Sequence, residues 1–401
     1  MVAQYRIVWE ASMVKLIKST FYNELETKKA LSQFITESSV LSMGEECSKF
    51  EKSFSAWHSR KHSVFVSNGS AANLLLIQAL LNLGRLKKGD KVGVSAVTWP
   101  TNVMPLIQLG LEPVAIDCEL NTLNISPRTV EKVIGSLKAI FLTNVLGFSD
   151  NILKIKEMCE RAEVLLLEDN CESLGTKAYG QLLGNFGLAS TFSFYVGHHF
   201  STIEGGMICT DDLELAEAMT MGRAHGWDRN LSAEKQIQLR DQHKIDSFFS
   251  KFTFYDLAYN VRPSEINGYA GNFQLKYLNE IIEIRQKNYF RFAKAAQNNN
   301  AIYQYDFSHL NVISNFAFPL VFKNYDSFLR ARNKFSEAHV EIRPVIAGDM
   351  TQQPFWKKYV KQSSDCPNSS IVHKNGLYLP NNPDLTESEI SLLTQLISEV
   401  N

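Results

Sequence analysis

Two adjacent histidines, His198 and His199, are the side chains of this sequence best suited to acid–base chemistry. They end the segment Thr191 to His199, which carries a hydroxyl at Ser193 and is followed by Glu204-Gly205-Gly206. An imidazole exchanges protons near neutral pH, and a serine hydroxyl can donate a hydrogen bond to a phosphate. The alternative for a pair of histidines is a structural or surface role. The segment therefore indicates proton transfer beside an anion site without deciding the reaction.

A second candidate site lies where a short apolar strand gives way to a helix. Ser67-Asn68-Gly69-Ser70 stands between the strand Ser63 to Val66 and a helical run from Ala71 to Leu83. Glycine permits close approach to the backbone, and the first turn of a helix offers unpaired N–H groups to an anion. Gly69 and Ser70 are therefore candidates for phosphate binding. The alternative is that Ser70 only caps the helix.

Two further segments follow apolar strands and carry groups that suit a flat heterocycle. Trp99 follows the strand Lys91 to Val94, and its ring could stack on a planar ligand or fill the core near a turn. Asp169 and Glu172 follow the strand Val164 to Leu167, at the edge of an α/β sheet where ligands bind. Asp169 could pair with a protonated pyridine nitrogen, which makes the ring an electron sink, or it could cap a helix.

The region from Asp228 to Phe254 is polar and weakly patterned. Asp228 to Phe254 is predicted to be a long loop, and long loops in compact domains often border sites. Asn260 and Arg262 follow and could contact an anion. Pro263, at the start of a helical pattern, is also typical of an ordinary helix entry.

Composition excludes several classes of function. The 401 residues are 45% hydrophobic and 21% charged with a net charge of −1, which is typical of a soluble globular protein and gives no basic field for nucleic acid. No apolar run is long enough to span a membrane, and Met1 to Met13 lacks the pattern of a secretory signal. The six cysteines are never closer than 12 positions, which is neither a zinc nor a redox spacing. We expect a cytoplasmic protein with reduced thiols and no metal.

Short apolar strands alternate with helical segments through the first two thirds of the chain. Near-continuous apolar strands of this kind are typical of a parallel sheet covered by helices on both faces, which predicts an α/β fold. The predicted strands are 63–66, 91–94, 113–116, 139–142, 164–167, 191–194 and 207–209. The predicted helices are 20–58 with a break near 38–44, 71–83, 103–109 and 151–161.

The last third of the chain has a different pattern. A long helical pattern runs from Pro263 to about Ala296 and is followed by a strand at 316–322, a helix at 325–338 and an extended segment at 340–344. This α+β order predicts a second, smaller domain. We divide the chain into a large domain with an N-terminal helical segment, 1–274, and a small C-terminal domain, 275–401.

In order and spacing, these motifs resemble the sugar aminotransferases of the DegT/DnrJ/EryC1/StrS family, from about Leu41 to Pro380. The family pattern is Ser-Phe-x-x-x-Lys with Glu-Gly-Gly beginning six residues after the Lys, and this chain has Ser193-Phe194 and Glu204-Gly205-Gly206 in register. The resemblance implies the type I aminotransferase fold with a mainly parallel seven-stranded sheet. It also implies pyridoxal or pyridoxamine 5′-phosphate as cofactor and a homodimer whose active sites are shared across the interface.

The resemblance also implies individual roles. Asn260 would reach the phosphate of the partner subunit's cofactor. Glu172 stands where the family usually carries Gln or His beside the ring hydroxyl, and this is a departure from the pattern. The implied contacts to the phosphate, the ring face and the ring nitrogen are Gly69, Ser70, Ser193, Trp99 and Asp169.

The family's lysine is replaced here by His198, which changes the implied reaction. No lysine occurs between Lys177 and Lys235, and a histidine cannot form the covalent link that holds the cofactor in the aminotransferases. The chain resembles the dehydratase branch of the family, which has His at this position. That likeness extends to Leu167–Ser173, Arg223–Trp227 and Arg343-Pro344-Val345.

The branch resemblance implies a C3 dehydratase for a nucleotide-linked 4-keto-6-deoxy sugar, with GDP-4-keto-6-deoxy-D-mannose as first choice. The product would be a 3,6-dideoxy-4-keto sugar of the kind used for colitose in lipopolysaccharide or capsule, with release of ammonia. L-glutamate would restore the pyridoxamine form of the cofactor. His198 would be catalytic, with His199 as its competitor, and His225 and Arg343 would contact the substrate.

Four alternatives stay open at this point. The same chemistry could act on a GDP-4-keto-6-deoxy-heptose. A conventional sugar aminotransferase could recruit a lysine from elsewhere in the fold. A dehydratase with a [2Fe–2S] cluster would need grouped cysteines, which the scattered spacing disfavours. A catalytically inactive relative could bind a nucleotide sugar as a sensor, although such a protein has no physical need of Asp169, Ser193 and the Gly69-Ser70 loop together.

Overall fold

The computed structural model describes residues 13–361 and 365–400, and these form an α/β structure. Its strands are β1 (His62–Val66), β2 (Lys91–Ser95), β3 (Glu112–Ile116), β4 (Ala139–Thr143), β5 (Leu165–Asp169), β6 (Lys177–Ala178), β7 (Gln181–Leu182), β8 (Ala189–Ser193), β9 (Gly206–Thr210), β10 (Leu310–Val312), β11 (Ala317–Val321), β12 (Arg343–Pro344) and β13 (Gly376–Pro380). Its α-helices are α1 (Glu24–Glu37), α2 (Glu45–His58), α3 (Gly69–Asn82), α4 (Met104–Gln108), α5 (Pro127–Glu131), α6 (Ile152–Arg161), α7 (Leu213–Gly222), α8 (Ala233–Gln242), α9 (Glu265–Leu275), α10 (Leu278–Gln297), α11 (Tyr325–Glu337), α12 (Pro354–Tyr359), α13 (Pro367–Asn375) and α14 (Glu387–Glu399).

Seven of the strands form the central sheet, in the order β1-β9-β8-β5-β4-β2-β3. All neighbouring pairs are parallel except those of β9, which is antiparallel to both β1 and β8. The prediction of a mainly parallel seven-stranded sheet is therefore confirmed. The carboxyl ends of the six strands that point the same way meet at one edge of the sheet.

Alternating side chains of the sheet pack against helices on its two faces. In β4, Ile140 and Leu142 belong to a cluster with Ile152 and Ile155 of α6, whereas Phe141 belongs to the cluster that contains the apolar residues of α3. Helix α6 is amphipathic and buries only one stripe, while α3 is apolar on most sides because it lies between the sheet and α7. Both faces are thus covered, as near-continuous apolar strands require.

A second sheet forms near the C-terminus from β11, β13 and β12, in that order and antiparallel throughout. Helix α10 connects the two sheets through its packing. Its first turns place Leu278 and Ile281 in a cluster with Phe50 of α2, and its later turns place Tyr289 and Phe292 in the cluster of the small sheet. A third, three-stranded sheet contains β10, β6 and β7.

Two predictions about helices were wrong in part. The segment 228–254 is not a continuous loop, since it contains α8, whose N-terminus is capped by Ser232 accepting a hydrogen bond from the N–H of Lys235. Helix α8 buries none of its residues, so it has no apolar stripe from which to predict it. The helical pattern from Pro263 to Ala296 is two helices, because α9 ends at Leu275 and α10 begins at Leu278.

Other expectations concern the ends of the chain. Residues 1–12, on which most of the expectation of no secretory signal depends, lie outside the described residues. Within residues 13–361 and 365–400, no helix is both long enough and apolar enough to cross a membrane.

The start of α2 is held by a carboxylate from another helix. Gly44 precedes α2 and has no side chain to cap it, so the first N–H groups need another acceptor. Glu265, the first residue of α9, accepts hydrogen bonds from the N–H groups of Gly44 at 2.7 Å, Glu46 at 2.8 Å and Cys47 at 3.1 Å. The carboxylate is nearly buried, so these bonds fix α9 against α2.

We predict that Glu265→Ala lowers the free energy of unfolding by about 3 kcal/mol, because three N–H groups lose a charged acceptor. Thermal unfolding followed by circular dichroism measures the change. Glu283→Ala is the matched control, because Glu283 is an exposed glutamate on the next helix. Equal unfolding temperatures for the two variants would contradict the role of Glu265.

Candidate active site

A cavity of about 540 Å³ opens at the carboxyl edge of the central sheet. Thr143, Asp169 and Ser193, the last residues of β4, β5 and β8, lie in its wall. The segments that follow β1 and β2 supply further lining residues, and Glu204 precedes the antiparallel strand β9 at the same edge. This is the edge at which α/β sheets bind ligands.

The cavity brings together eight of the ten residues singled out in the sequence. They are Gly69, Ser70, Trp99, Asp169, Glu172, Ser193, His198 and Arg343. His225 and Asn260 do not line it. The ring of His225 contacts Trp227 with centroids 4.9 Å apart, and Asn260 Oδ1 accepts a hydrogen bond from Arg262 Nε at 2.9 Å.

One end of the cavity is the N-terminus of α3. The helix is capped by Asn68, whose Oδ1 accepts a hydrogen bond from the N–H of Ala71 at 2.8 Å, so the alternative of Ser70 as the cap is wrong. A Cβ atom on Gly69 would lie 2.7 Å from the Cβ of Ser193, so only glycine lets the helix start this close to β8. Free N–H groups and two serine hydroxyls therefore face the same space, which suits a phosphate.

The Asp169 carboxylate lies in the wall of the cavity and is 3% exposed. Its Oδ2 accepts hydrogen bonds from Asn73 Nδ2 at 2.9 Å and from Asn102 Nδ2 at 2.8 Å, and its Oδ1 accepts one from the N–H of Cys171 at 2.9 Å. Trp99 is 53% exposed and lines the cavity, so it is not a core side chain. An anchored carboxylate and an accessible indole are the groups a flat cationic heterocycle needs.

His198 lies in a turn just after β8, where its backbone N–H donates a hydrogen bond to the carbonyl of Tyr195 at 2.9 Å. Its ring contacts Phe316, with centroids 5.5 Å apart, and its Nδ1 is buried with no hydrogen-bond partner among the described residues. Burial lowers the pKa of His198 to about 4, although the negative charge of Asp169 opposes the shift. The imidazole is therefore neutral at pH 7 and can accept a proton.

His199 differs from its neighbour in its surroundings. It does not line the cavity; its Nε2 lies 3.1 Å from the carbonyl of Ser314, and only 3% of its surface is exposed. Burial lowers its pKa well below the usual value. The geometry favours His198 over His199 for contact with a ligand.

Glu172 is a carboxyl group that holds its proton at neutral pH. Its Oε2 accepts a hydrogen bond from the N–H of Leu146 at 2.9 Å, and burial raises its pKa to about 8. A protonated carboxyl donates one hydrogen bond through its O–H, as the amide of glutamine does through its N–H. The departure from the family's Gln therefore preserves a donor at this place.

The sequence reasoning missed the residues that close the other side of the cavity. Phe316, Ile346 and Tyr378 come from the region of the small sheet, and the ring centroids of Phe316 and Tyr378 are 5.9 Å apart. They lie more than a hundred residues from His198 in the chain, and of the three only Ile346 adjoins a recognised motif, Arg343-Pro344-Val345. Asn102 and Tyr195 were also missed, although they lie within three residues of Trp99 and His198.

No lysine is among the cavity-lining residues of the described chain, and Arg343 is the one arginine there. Arg343 Nη2 donates to Glu341 Oε1 at 2.7 Å. In residues 13–361 and 365–400, no group of three or more His, Cys, Asp or Glu side chains is arranged to hold a metal. The cavity thus combines an anion site, a ring site and a neutral base.

Relatives of known function share nearly the whole chain. The GDP-4-keto-6-deoxy-D-mannose 3-dehydratase of Escherichia coli O55:H7 is 35% identical over 394 residues, which are 95% of this chain and 98% of the relative. The enzyme of the same name from Yersinia pseudotuberculosis is 37% identical over 364 residues, 88% of this chain and 91% of the relative.

Solved structures match over the same extent. The structure of the E. coli GDP-4-keto-6-deoxy-D-mannose 3-dehydratase with bound hydrated PLP has a TM-score of 0.86 and is 33% identical in sequence. The match covers 96% of this chain and 100% of the E. coli chain. A GDP-4-keto-6-deoxymannose 3-dehydratase with a trapped PLP–glutamate geminal diamine has a TM-score of 0.85 at 32% identity, with coverage of 96% and 100%.

The family model of the DegT/DnrJ/EryC1/StrS aminotransferases matches residues 23–397. This span contains the central sheet, the small sheet and all residues that line the cavity. The chain therefore belongs to the DegT/DnrJ/EryC1/StrS aminotransferase family.

Proposed function

We propose that this chain is a 3-dehydratase that uses pyridoxal and pyridoxamine 5′-phosphate and acts on GDP-4-keto-6-deoxy-D-mannose. The product is the 3,6-dideoxy-4-keto sugar, and L-glutamate regenerates the amine form of the cofactor. The observation that carries the proposal is a neutral histidine, rather than a lysine, in a cavity that also holds an anion site and a ring site. The activity named for the relatives from Escherichia coli O55:H7 and Yersinia pseudotuberculosis supports the same substrate.

The lining residues fit this cofactor. We assign the phosphate to the N-terminus of α3 at Gly69 and Ser70, together with Ser193, where a Cβ on residue 69 would fill the space. We assign the pyridine nitrogen to Asp169 and the face of the ring to Trp99. The protonated Glu172 carboxyl would donate to the ring hydroxyl. When bound, the protonated pyridine ring withdraws electrons, which allows the C3 hydroxyl of the sugar to leave.

His198 moves the protons of the reaction. As a neutral imidazole it accepts a proton, and as an imidazolium it gives a proton to the oxygen of the departing C3 hydroxyl. Over a full cycle, the C3 hydroxyl leaves as water. Glutamate is oxidised to 2-oxoglutarate, and this oxidation supplies the two electrons that the sugar gains. One water is consumed and one ammonia is released, so atoms and electrons balance.

The conventional aminotransferase reading would need a lysine at the cofactor. None is among the cavity-lining residues of the described chain, and His198 cannot make the covalent link. We therefore place the protein with the dehydratases. A GDP-4-keto-6-deoxy-heptose stays an alternative substrate for the same chemistry.

We also propose that the protein is a homodimer with shared active sites. The nucleotide diphosphate, the cofactor phosphate and glutamate bring several negative charges, whereas Arg343 is the only lysine or arginine among the cavity-lining residues of the described chain. Arg262 and Asn260 lie outside their own cavity on the exposed part of the segment before α9. The nearby Phe248 and Leu257 are 80% and 71% exposed, which a partner surface would cover.

Two further expectations remain proposals. We place the division between the large and the small domain at 274/275, in the last turn of α9, which ends at Leu275. We also place the protein in the cytoplasm, because its six cysteines are free thiols.

The proposed function is tested by absorbance spectra of the purified protein with pyridoxal phosphate before and after L-glutamate, then by borohydride reduction and mass spectrometry. The expected result is a free-aldehyde band that glutamate converts to the pyridoxamine band, without a covalent adduct. Ammonia release from GDP-4-keto-6-deoxy-D-mannose then tests the substrate. A reduced adduct on a lysine would return the protein to the ordinary aminotransferases.

We predict that His198→Asn lowers dehydration at least about a hundredfold, because the neutral base is lost. His198→Lys should lose dehydration as well and become covalently labelled at residue 198 on borohydride reduction. Ammonia release and peptide mass spectrometry measure the two effects. His243→Asn is the control, since His243 is exposed and does not line the cavity. Full turnover in His198→Asn would show that another group is the base.

The pH dependence of kcat/KM should follow His198 and Glu172. His198 loses its proton as the pH rises through about 4, and Glu172 loses its proton as the pH rises through about 8. A neutral base and a protonated donor therefore coexist between these values, so kcat/KM should be flat from about pH 5 to about pH 7 and fall above about pH 8. Glu172→Gln should remove the alkaline fall, because the amide does not ionise. Persistence of the fall in this variant would assign it to another group.

The shared site predicts subunit complementation. His198→Asn and Asn260→Ala should each be weakly active alone, but co-refolded dimers carrying one of each should contain one intact site. A random equal mixture would then recover about a quarter of the wild-type sites. Active-site titration of the mixture measures this recovery. A mixture no more active than the average of its parents would mean that Asn260 acts in its own subunit or not at all.

A further inference from the structure

Two buried asparagines share one oxygen of the Asp169 carboxylate. Asn73 Nδ2 and Asn102 Nδ2 both donate to Oδ2, at 2.9 and 2.8 Å, and each side chain is 1% exposed. Their own Oδ1 atoms are buried with no hydrogen-bond partner among the described residues. Facing a carboxylate, each amide must present its NH₂ group, so both side chains are fixed in one orientation.

The chemical nature of these donors matters. In the ion pairs of the described residues, no lysine or arginine is bonded to Asp169; its bonded partners there are two neutral amides and the backbone N–H and thiol of Cys171. A cation would neutralise the carboxylate and compete with a protonated ring for it. Neutral donors stabilise the negative charge in a buried place and leave that charge to act on a ligand.

The acceptor positions of the carboxylate can be counted. An ionised carboxylate offers about four lone-pair positions. Two on Oδ2 are used by the amides, and one on Oδ1 is used by the N–H of Cys171. The thiol of Cys171, a weak donor, also hydrogen-bonds to the carboxylate, and Asp169 lines the cavity.

The two asparagines come from the elements that build the rest of the site. Asn73 lies on α3, one turn after Gly69 and Ser70. Asn102 ends the short 3₁₀ turn Pro100–Asn102, directly after Trp99. The two hydrogen bonds therefore tie the anion site and the exposed indole to the same carboxylate oxygen.

We propose that Asn73 and Asn102 are positioning residues that hold the Asp169 carboxylate in the orientation in which it meets the protonated ring nitrogen of the cofactor. This inference rests on the proposed function, since it names the group that Asp169 receives. The asparagines touch the carboxylate and act on the cofactor only through it.

The test uses the full-length enzyme loaded with pyridoxal phosphate that is ¹⁵N-labelled at the ring nitrogen. The ¹⁵N chemical shift reports ring protonation, and fluorescence quenching gives the cofactor dissociation constant. In the wild type, the nitrogen should stay protonated from about pH 6 to about pH 9. In Asn73→Ala and Asn102→Ala, it should lose its proton within this range, and the dissociation constant should rise about tenfold for each lost amide.

Three variants separate positioning from packing. Asn102→Asp keeps the size but replaces the donor by an acceptor, so it should disturb ring protonation more than Asn102→Ala. Asn102→Ser keeps a donor and should recover part of the wild-type pH response. Asn82→Ala is the control. Asn82 lies on α3 like Asn73, but its side chain donates a hydrogen bond to the carbonyl of Leu257, so the variant should change neither ring protonation nor the dissociation constant.

The outcomes distinguish this proposal from the proposed function. A wild-type enzyme that binds no pyridoxal phosphate would overturn both. A wild-type enzyme with a protonated ring, together with folded Asn73→Ala and Asn102→Asp variants of unchanged ¹⁵N titration, would overturn the positioning role while the function stands. If the alanine variants fail to fold, the same comparison with Asn102→Asp and Asn102→Ser decides.

Discussion

A negative charge that is kept inside the protein without a cationic partner is the constraint on which this site depends. Asp169 is 3% exposed, and burial of an unpaired carboxylate is costly unless hydrogen bonds replace water. The donors come from α3, from the turn after Trp99 and from the backbone after β5. The last residue of β5 can therefore carry this charge only if α3 and the segment after β2 lie where they do. The parallel order of the sheet, which brings those segments to one edge, is thus a condition for the carboxylate.

Burial shifts the pKa values of two further groups of the cavity, His198 and Glu172, in opposite directions. Burial favours the neutral form of each group, so the pKa of His198 falls to about 4 and that of Glu172 rises to about 8. At neutral pH the cavity then contains a base without its proton and an acid that keeps its proton. The largest cause of both shifts is the same, namely exclusion of water.

The sequence predicted the parts of this molecule that local patterns determine. The apolar strands of the central sheet and the motifs at their ends, such as Gly69-Ser70 and Asp169, were recognisable because each pattern lies within a few residues. Helix α8 was not predictable, because a helix that buries none of its residues has no apolar stripe. Phe316 and Tyr378 were missed for another reason: they reach the cavity through the packing of the small sheet, which no local pattern encodes. Asn73 looked like an ordinary helix residue, and only its distance to Asp169 gives it a role.

The packing of the small sheet also determines the position of His198. Arg285 of α10 is buried, and its guanidinium donates to the carbonyl of His198 at 3.1 Å and to the carbonyls of Phe316 and Asn381. One cation thus holds the backbone of the turn after β8 against two segments that flank β11 and β13. Its positive charge also favours the neutral form of His198, in the same direction as burial. Because these bonds join the turn to the small sheet, a shift of that sheet would move His198 and Phe316 together. The base and the wall of the cavity therefore keep their relative position, which a proton transfer over hydrogen-bond distance requires.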